Sequence, residues 1–386
     1  VMMGSSCRRY SARANVYGRK FAAIVSDDVL SDDGRNGDPL RLLLYGCSRL
    51  YGRIVEIRTR RMINDSGRVR RLPRPVVSVG NLTTGGTGKT PMAAYLAGLI
   101  GSWGLNPVIL SRGYGGSAER CGAIVSSGKG PLVPPEVAGD EAYLLAQRLP
   151  EVPVVVGRDR HAMGASVFEQ FRPDCYLLDD GFQHIRLHRD LNLVLLDYKR
   201  PFGNGHLLPR GHLRESRDAL ERADAIVLTR SDVGTKPLDE VMACSRRKPV
   251  FRAAHHSVVV HHWNSGKYLE ILDKKHITAD LPVYIFSGIA DNGGFQDAVK
   301  KMGARPVGHR AFADHHPYSR KDIDTIKAGA SGAGAKALVT TAKDFVRLPR
   351  PLTWAVDLWV ADVELTFAND DFATFVRSRL KRLLGG

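Results

Sequence analysis

Residues 83–90 read Thr83-Thr84-Gly85-Gly86-Thr87-Gly88-Lys89-Thr90, and this stretch decides the fold. The apolar run 76–79 before it predicts a buried strand, and the run 92–97 after it predicts a helix. A glycine loop between a strand and a helix lets successive backbone N–H groups converge on phosphate oxygens at the helix N-terminus. We therefore predict a nucleotide phosphate loop, with Lys89 on the β/γ-phosphates and the Thr90 hydroxyl on magnesium.

The loop departs at one position from the usual pattern G-x-x-x-x-G-K-[ST]. Thr83 occupies the place of the first glycine, and Gly85 and Gly86 supply the permissive backbone instead. The plainer alternative is an ordinary glycine-rich turn ahead of a helix. The flanking strand and helix patterns favour nucleotide binding over that alternative.

Further apolar strands alternate with helical stretches along the chain. They are predicted at 108–110, 152–156, 176–178, 193–196 and 225–228. Such alternation indicates a largely parallel sheet covered by helices on both faces. The predicted fold class is therefore α/β, with a P-loop kinase-like, doubly wound, mostly parallel sheet.

The sequence pattern changes near residue 250. The runs 258–260 and 268–272 flank a turn at 264–266 and predict a β-hairpin. A second α/β segment begins with the apolar run 282–286. We expect two α/β/α lobes, a nucleotide-binding lobe at 76–250 and a second lobe at 281–386, joined by a small hairpin element at 251–280.

Size and composition narrow the function classes. A chain of 386 residues is long enough to bury two cores. Its five cysteines form no C-x-x-C pair, so we expect a reducing compartment and no cysteine-rich metal site. The net charge of +16 indicates an anionic partner, such as nucleic acid, an anionic membrane or a phosphorylated substrate. No apolar run is long enough to predict a transmembrane helix.

Two basic segments precede the phosphate loop. The extension 1–37 is typical of a mitochondrial or plastid transit peptide or of a disordered basic tail, because its first 26 residues contain arginines and no acidic residue. The segment 38–75 contains ten arginines against three acidic residues. Within it, 40–61 predicts an amphipathic helix whose apolar face carries Leu43, Cys47, Leu50, Ile54 and Ile57. Such a helix either lies in a membrane interface or packs on the protein's own core.

Two acidic motifs are candidates for catalysis and metal binding. Asp179 and Asp180 follow the strand at 176–178, at the carboxyl end where open α/β sheets bind ligands. A carboxylate there suits the nucleotide's magnesium, whereas an Asp-Gly turn is the plainer interpretation. Asp140 begins a helical run, so it is either a helix N-cap or the carboxylate that accepts a proton from an attacking hydroxyl.

Arginines in two loops and a histidine near the C-terminus complete the candidates. Arg112, Arg158 and Arg160 lie just after predicted strands, where guanidinium groups suit phosphate recognition and surface salt bridges are the alternative. His315 lies among aromatic and titratable residues at 312–318, and we expect it to orient, or be oriented by, a carboxylate. A zinc site at His315 and the adjacent His316 is discounted, because neighbouring histidines in extended backbone cannot both face one metal.

Together these segments resemble the tetraacyldisaccharide 4′-kinases, the lipid A 4′-kinase family of P-loop enzymes. The resemblance runs in the family's order from about residue 38 to residue 386, and Thr83 is itself typical of the family. The chain departs from the family at Arg210 and His212, where a small or apolar residue and a proline are usual. The matching segments are 78–83 with 88–91, 111–116, 139–142, 156–160, 178–184, 201–205, 207–209 with 213–215, 228–232, 314–315, and 340–341 with 343–344.

The resemblance implies transfer of the ATP γ-phosphate to the 4′-hydroxyl of an acylated glucosamine disaccharide 1-phosphate, with magnesium, at a membrane surface. It implies that Asp140 is the base and that a histidine, His315 or else His316, is its partner. It implies that Asp179 and Asp180 are the acidic pair at magnesium, and it favours the membrane role for the helix at 40–61. We predict that Arg112, Arg158, Arg160 and His184 bind the substrate.

Several alternatives stay open beside the resemblance. A GTP-dependent switch is one, because 229–232 weakly resembles a guanine-reading N/T-K-x-D segment, although Asp180-Gly181 does not give the D-x-x-G spacing of such switches. Another membrane-lipid or sugar kinase is a second. A nucleic-acid-associated ATPase is a third, but no aromatic-interleaved basic groove supports it, so we expect no nucleic acid partner. We expect a membrane-associated monomer, at the mitochondrial inner membrane in preference to the cytoplasmic face of a bacterial inner membrane.

Overall fold

The structure is a computed structural model that describes residues 39–231, 239–264, 267–275, 277–349 and 354–385. The predicted extension at 1–37, Asp232 and the tip of the predicted hairpin lie outside these residues. The chain divides into two compact units. The first unit comprises the described residues up to Ala254 and from Thr366 onward, and the second unit is His255–Leu365.

Strands and helices alternate along the chain. Up to the end of the first unit's main segment they are α1 Pro39–Asn64, β1 Val76–Asn81, α2 Lys89–Ser102, β2 Pro107–Ser111, β3 Ala123–Ser127, α3 Pro135–Ala138, α4 Asp140–Arg148, β4 Pro153–Val156, α5 Arg160–Ser166, α6 Phe168–Phe171, β5 Cys175–Asp179, β6 Leu191–Asp197, β7 Ala225–Thr229, α7 Asp239–Ser245 and β8 Val250–Asn264. They continue with β9 Lys267–Lys275, β10 Pro282–Ser287, α8 Asn292–Lys301, β11 Arg305–Ala311, α9 Arg320–Gly332, β12 Ala337–Thr341, α10 Ala342–Val346, β13 Asp357–Phe367 and α11 Asp371–Leu384.

The sheet of the first unit is parallel except at one edge. Its strand order is β3-β4-β2-β5-β1-β6-β7-β8. All of these neighbours pair in parallel apart from β3 and β4, which are antiparallel. Every residue of β1, β2, β5 and β7 is buried, as expected of parallel strands covered on both faces. The prediction of a doubly wound, mostly parallel sheet is confirmed, whereas the edge strand β3 was not predicted.

The second unit contains a smaller parallel sheet. Its strand order is β11-β10-β12-β13, and these neighbours are parallel. Helices α8 and α9 pack against β10 and β11, and the core contains Val283, Ile285, Val299 and Val339. The later residues of β8 pair antiparallel with β9, as the predicted hairpin requires.

The two units differ from the predicted boundaries at two places. The hairpin strands belong mainly to the second unit, whereas the C-terminal helix α11 belongs to the first. The reason for the second difference is aromatic packing at the start of α11. The ring of Phe372 stacks on Phe367 with centroids 4.3 Å apart, and it lies 5.2 Å from the Phe251 ring and 6.2 Å from the Tyr95 ring of α2.

The helix α1 presents its predicted apolar face outward. Leu43, Leu50, Ile54 and Ile57 are each more than half exposed, whereas a different stripe, which includes Ser48, is buried. This face therefore does not pack on the protein's own core, which was the alternative to a membrane role. No helix in the described ranges is both long and apolar enough to cross a bilayer.

A close approach between β1 and the loop after β5 gives a stability prediction. A Cβ on Gly80 would lie 2.6 Å from the backbone nitrogen of Phe182, so Gly80→Ala forces backbone apart and is expected to destabilise the fold by about 1–3 kcal/mol. Gly98 in α2 is the matched control, because a Cβ there meets nothing within 4 Å. Gly98→Ala is expected to stabilise by about 0.5–1 kcal/mol. Urea unfolding followed by circular dichroism measures both, and equal midpoints would contradict the packing of Phe182 on β1.

Candidate active site

The phosphate loop joins β1 to α2, and Gly85 and Gly86 at its centre are exposed. Gly85 and Gly88 adopt φ values of 112° and 83°, which L side chains rarely adopt. A Cβ on Gly85 or Gly86 would meet nothing within 4 Å, so open space lies over this part of the loop. The loop ends at the N-terminus of the 14-residue helix α2, where backbone N–H groups and the helix dipole favour an anion.

The shape of the loop is fixed by side chains from neighbouring strands. Asn81 Nδ2 donates to Thr87 Oγ1 at 2.8 Å, and Thr229 Oγ1 donates to the Thr87 carbonyl at 3.1 Å. Arg230 Nη2 donates to the Gly86 carbonyl at 2.9 Å. These three hydrogen bonds fix the backbone at Gly86 and Thr87 and the Thr87 side chain. Residues 229–230, the start of the segment that resembles a guanine-reading one, thus hold the loop in place.

The acidic pair lies beside the loop because β1 and β5 are neighbours. Asp179 ends β5 and pairs in register with Val79 of β1. Asp180 follows with φ of 54°, in the left-handed region of backbone conformation. The Asp180 carboxylate lies 3.7 Å from Lys89 Nζ and accepts from Arg214 Nη1 at 3.1 and 3.2 Å. We call Lys89, Asp180 and Arg214 the charged cluster.

The charged cluster keeps Asp180 ionised. Burial alone raises the pKa of this carboxyl, but Lys89, Arg214 and Arg160 outweigh that effect and hold its pKa below the usual value. Arg214 was not among the predicted site residues, although it lies in a segment that matched the family. Its contact with Asp180 spans 34 residues of sequence, and no local pattern signals such a contact.

Oxygen donors suitable for magnesium lie at the same edge of the sheet. The Thr90 side chain in the first turn of α2 and the Asp179 side chain at the end of β5 are both buried. In the described residues no three His, Cys, Asp or Glu side chains form a metal-binding group. Magnesium needs only one or two protein carboxylates when phosphate oxygens and water complete its shell, so this donor set fits that ion.

The predicted phosphate-binding arginines differ in exposure. Arg160 is buried at the start of α5 and donates to the Arg158 carbonyl at 3.3 Å. Its charge acts on Asp180 and on His184, whose pKa falls to about 4 through burial first and then through Arg160 and Arg189. Arg112 pairs with Glu119 at 2.6 Å, and Arg158 is exposed.

Asp140 begins α4 in the same unit as the phosphate loop. The helix cap position is held by Gly139, so an N-cap role does not explain Asp140. Gly139 adopts φ of 82°, and a Cβ there would lie 2.7 Å from the Tyr114 carbonyl oxygen. The loop after β2 thus packs closely on the turn before Asp140, and α4 packs against α2, which carries Lys89.

His315 and His316 have different environments in the second unit. Arg347 Nη2 donates to His315 Nδ1 at 3.2 Å, and His315 Nε2 lies 4.0 Å from the Asp314 carboxylate. Because Arg347 can only donate, His315 Nδ1 is an acceptor and the proton of the neutral ring is on Nε2. His316 instead contacts Asp322 at 3.2 Å.

A buried carboxylate holds Arg347 in this position. Asp344 is fully buried and accepts hydrogen bonds from Tyr318 Oη at 3.0 Å and Thr341 Oγ1 at 2.6 Å. It also lies 3.4 Å from Arg347 Nη1. Burial raises the pKa of Asp344 above its usual value despite these hydrogen bonds and the nearby arginine.

Comparison with known proteins identifies the family. The family model for LpxK, Tetraacyldisaccharide-1-P 4′-kinase, matches residues 40–381. The chain belongs to this family. The tetraacyldisaccharide 4′-kinase of Desulfatibacillum aliphaticivorans is 40% identical over 376 residues, which cover 94% of this chain and 98% of that protein. The enzyme of that name from Geobacter sulfurreducens is 40% identical over 316 residues, which cover 82% and 86%.

A solved structure agrees with this assignment. The crystal structure of LpxK from Aquifex aeolicus in complex with ATP matches with a TM-score of 0.70 and 32% identity, and the match covers 88% of this chain and 99% of that chain. The resemblance predicted from the sequence motifs is therefore confirmed, and the protein is a kinase. These three relatives are bacterial, so they give no support to a mitochondrial address.

Most of the predicted site residues of this kinase lie in the first unit. Lys89 and Asp180 form a direct ion pair. Arg160 interacts electrostatically with both Asp179 and Asp180, and His184 interacts with Arg160. Asp140 is connected to the site through the packing of its helix on α2. His315 belongs to the second unit, so its pairing with Asp140 stays a prediction.

The depressed pKa of His184 predicts an acid-dependent loss of stability. Well above pH 6.5 the side chain is neutral in both the folded and the unfolded chain. As the pH falls through 6.5 towards about 4, the unfolded chain gains the proton and the folded chain does not, so stability falls. His184→Gln is expected to flatten the decline of the thermal midpoint between pH 7.5 and 5. The same change at exposed His256 controls for loss of a histidine. Parallel curves for wild type and His184→Gln would contradict the low pKa.

Proposed function

We propose that the protein transfers the γ-phosphate of ATP to the 4′-hydroxyl of a tetraacyl glucosamine disaccharide 1-phosphate, a step of lipid A biosynthesis. The observation that carries this proposal is the ion pair between Lys89 and Asp180 where β1 and β5 end, in a chain of this kinase family. The solved relative with bound ATP supports ATP as the phosphate donor.

The phosphate loop would hold the triphosphate. Its exposed backbone at Gly85 and Gly86 leaves N–H groups accessible to phosphate oxygens at the N-terminus of α2. The Lys89 side chain is mostly buried, and its ion pair with Asp180 holds the ammonium group of Lys89 at the carboxyl ends of β1 and β5. There Lys89 is placed to contact the β- and γ-phosphates and to offset the negative charge of the transferred group.

Magnesium would be held by the Thr90 hydroxyl and the Asp179 carboxylate. Asp180 is less suited to direct contact, because two cationic side chains already share its carboxylate. When bound, the ion neutralises charge on the β- and γ-phosphate oxygens.

Asp140 would act as the base. The pKa of a sugar hydroxyl lies far above 7, so Asp140 orients the hydroxyl and takes its proton late, as the new bond to phosphorus forms. We assign the partner role to His315, because its Nδ1 accepts from Arg347, which places the proton of the neutral ring on Nε2, the nitrogen that lies 4.0 Å from the Asp314 carboxylate. His316 is already engaged with Asp322.

The remaining predicted residues would bind the acceptor. Arg112 and Arg158 reach the surface after β2 and β4, where a phosphate on the substrate has access to them. Arg160 is buried and also acts on the acidic pair. His184 is neutral at physiological pH, so it offers one donor and one acceptor to the substrate instead of a charge.

The helix α1 would place the site at a lipid surface. Its exposed apolar face carries Leu43, Leu50, Ile54 and Ile57, and arginines flank that face. Apolar side chains of this kind enter the boundary between head groups and acyl chains, and arginines bind lipid phosphates. The bacterial relatives support a bacterial address, and the site would then lie at the cytoplasmic face of the inner membrane. The mitochondrial address concerns residues 1–37, outside the described residues.

The alternatives from the sequence are weaker. A guanine-reading role for 229–232 competes with the hydrogen bonds that Thr229 and Arg230 give to the loop carbonyls. Nucleotide preference separates that alternative from the kinase. Another lipid or sugar kinase would share the same donor site, so only the acceptor distinguishes it.

Transfer of labelled γ-phosphate into the lipid tests the proposal. In detergent micelles with magnesium, Asp140→Asn is expected to lower kcat by about 10²- to 10⁴-fold with little change in the KM for ATP, because the base acts only in the chemical step. Lys89→Met is the comparison, and it is expected to weaken ATP binding as well. Labelled lipid that forms at the wild-type rate in Asp140→Asn would contradict the role of Asp140. Hydrolysis of ATP without labelled lipid would contradict the acceptor.

Membrane association through α1 is tested by sedimentation with anionic vesicles. The double change Leu50→Ser with Ile54→Ser is expected to weaken binding at least about tenfold, since each buried aliphatic side chain contributes about 1.5–3 kcal/mol. Leu132→Ser is the matched control, because Leu132 is also exposed and lies in a loop far along the chain from α1. Equal loss in both proteins would contradict a specific role for α1.

A further inference from the structure

The segment 207–214 contacts the buried face of α1. Ser48 Oγ donates to the Leu207 carbonyl at 2.8 Å, and Tyr51 Oη donates to the Arg214 carbonyl at 3.1 Å. Gly52 lies against the same segment, because a Cβ there would be 2.6 Å from Leu207 Cδ1. The helix is therefore fixed to both ends of this segment by side-chain hydrogen bonds.

The same segment pairs with the start of the phosphate loop. The Thr84 amide donates to the His212 carbonyl at 2.7 Å, and the Arg214 amide donates to the Leu82 carbonyl at 2.7 Å. Between them, Thr83 and Leu213 form an antiparallel bridge. The segment thus behaves as a short extra strand that holds the beginning of the loop. It lies in direct contact with α1 on one side and with the loop on the other.

Arg214 links these backbone contacts to the charged cluster. Its carbonyl accepts from Tyr51, and its guanidinium contacts both Asp180 oxygens and, at 3.4 Å, Gln183 Oε1. Asp180 in turn holds Lys89. A shift of the Arg214 backbone therefore moves the guanidinium and, with it, the carboxylate that orients Lys89.

We propose that Tyr51 and Ser48 are positioning residues for the phosphate loop, which they hold through the segment 207–214 and the Arg214 side chain. In this arrangement the buried stripe of α1 sets the geometry of the ATP site, while the exposed stripe is available to a lipid surface. Packing of α1 on the segment 207–214 is therefore coupled to formation of the ATP site. The inference rests on the proposed function only in taking 83–90 as the ATP site.

Tyr51→Phe is the direct test, because it keeps the ring and removes only the hydroxyl that donates to Arg214. The loss of one hydrogen bond is expected to raise the KM for ATP, and the Kd for a fluorescent ATP analogue, by about 2- to 10-fold. The KM for the lipid and the binding to vesicles are expected to stay at wild-type values, and the thermal midpoint is expected to fall by no more than about 4 °C, because only one hydrogen bond is lost. Ser48→Ala is expected to act in the same direction.

Tyr45→Phe is the matched control on the same helix. Its ring packs edge-on against His206 with centroids 6.4 Å apart, and that packing survives loss of the hydroxyl. Nucleotide affinity equal to the wild type in Tyr51→Phe would overturn the proposal. So would a parallel loss of ATP affinity, lipid KM and thermal midpoint, because that pattern indicates a merely structural role. The titration with the ATP analogue contains no lipid, so its outcome is independent of whether the proposed acceptor is correct.

Discussion

The carboxylate of Asp180, held between Lys89 and Arg214, is the interaction on which the site depends. It joins three parts of the chain that are distant in sequence: the phosphate loop, the end of β5 and the segment 207–214. Its pKa lies below the usual value because three cationic side chains outweigh the effect of burial, so it stays charged in the folded protein. The neighbouring Asp179 side chain is buried at the end of β5.

The parallel sheet provides the geometry for this interaction. Strand β1 lies between β5 and β6, so the loop that follows β1 meets the residues that follow β5 at one edge of the sheet. Open α/β sheets bind ligands at the carboxyl ends of their strands for this reason. Hydrogen bonds from Asn81, Thr229 and Arg230 also fix the shape of the loop, although two of its glycines are exposed.

Local sequence predicts those parts of the site that are formed by residues close together in the chain. A glycine loop needs only a buried strand before it and a helix after it, and all three signals lie within residues 76–97. The acidic pair is predictable because it directly follows a strand. Arg214 is not, because it reaches Asp180 across 34 residues, and the contact between Thr84 and His212 spans 128. The return of α11 to the first unit depends on aromatic contacts that no periodicity reveals.

Helix α1 shows a similar limit. An amphipathic pattern identifies two faces, but it does not say which of them packs on the protein; the hydrogen bonds of Ser48 and Tyr51 decide that.

The most direct measurement of the proposed reaction is ³¹P NMR of the lipid product formed from ATP and the tetraacyl disaccharide 1-phosphate. A new phosphomonoester resonance coupled to the proton at position 4′, beside an unchanged 1-phosphate, is the expected result. A diphosphate at position 1, or a monoester at another hydroxyl, would contradict it.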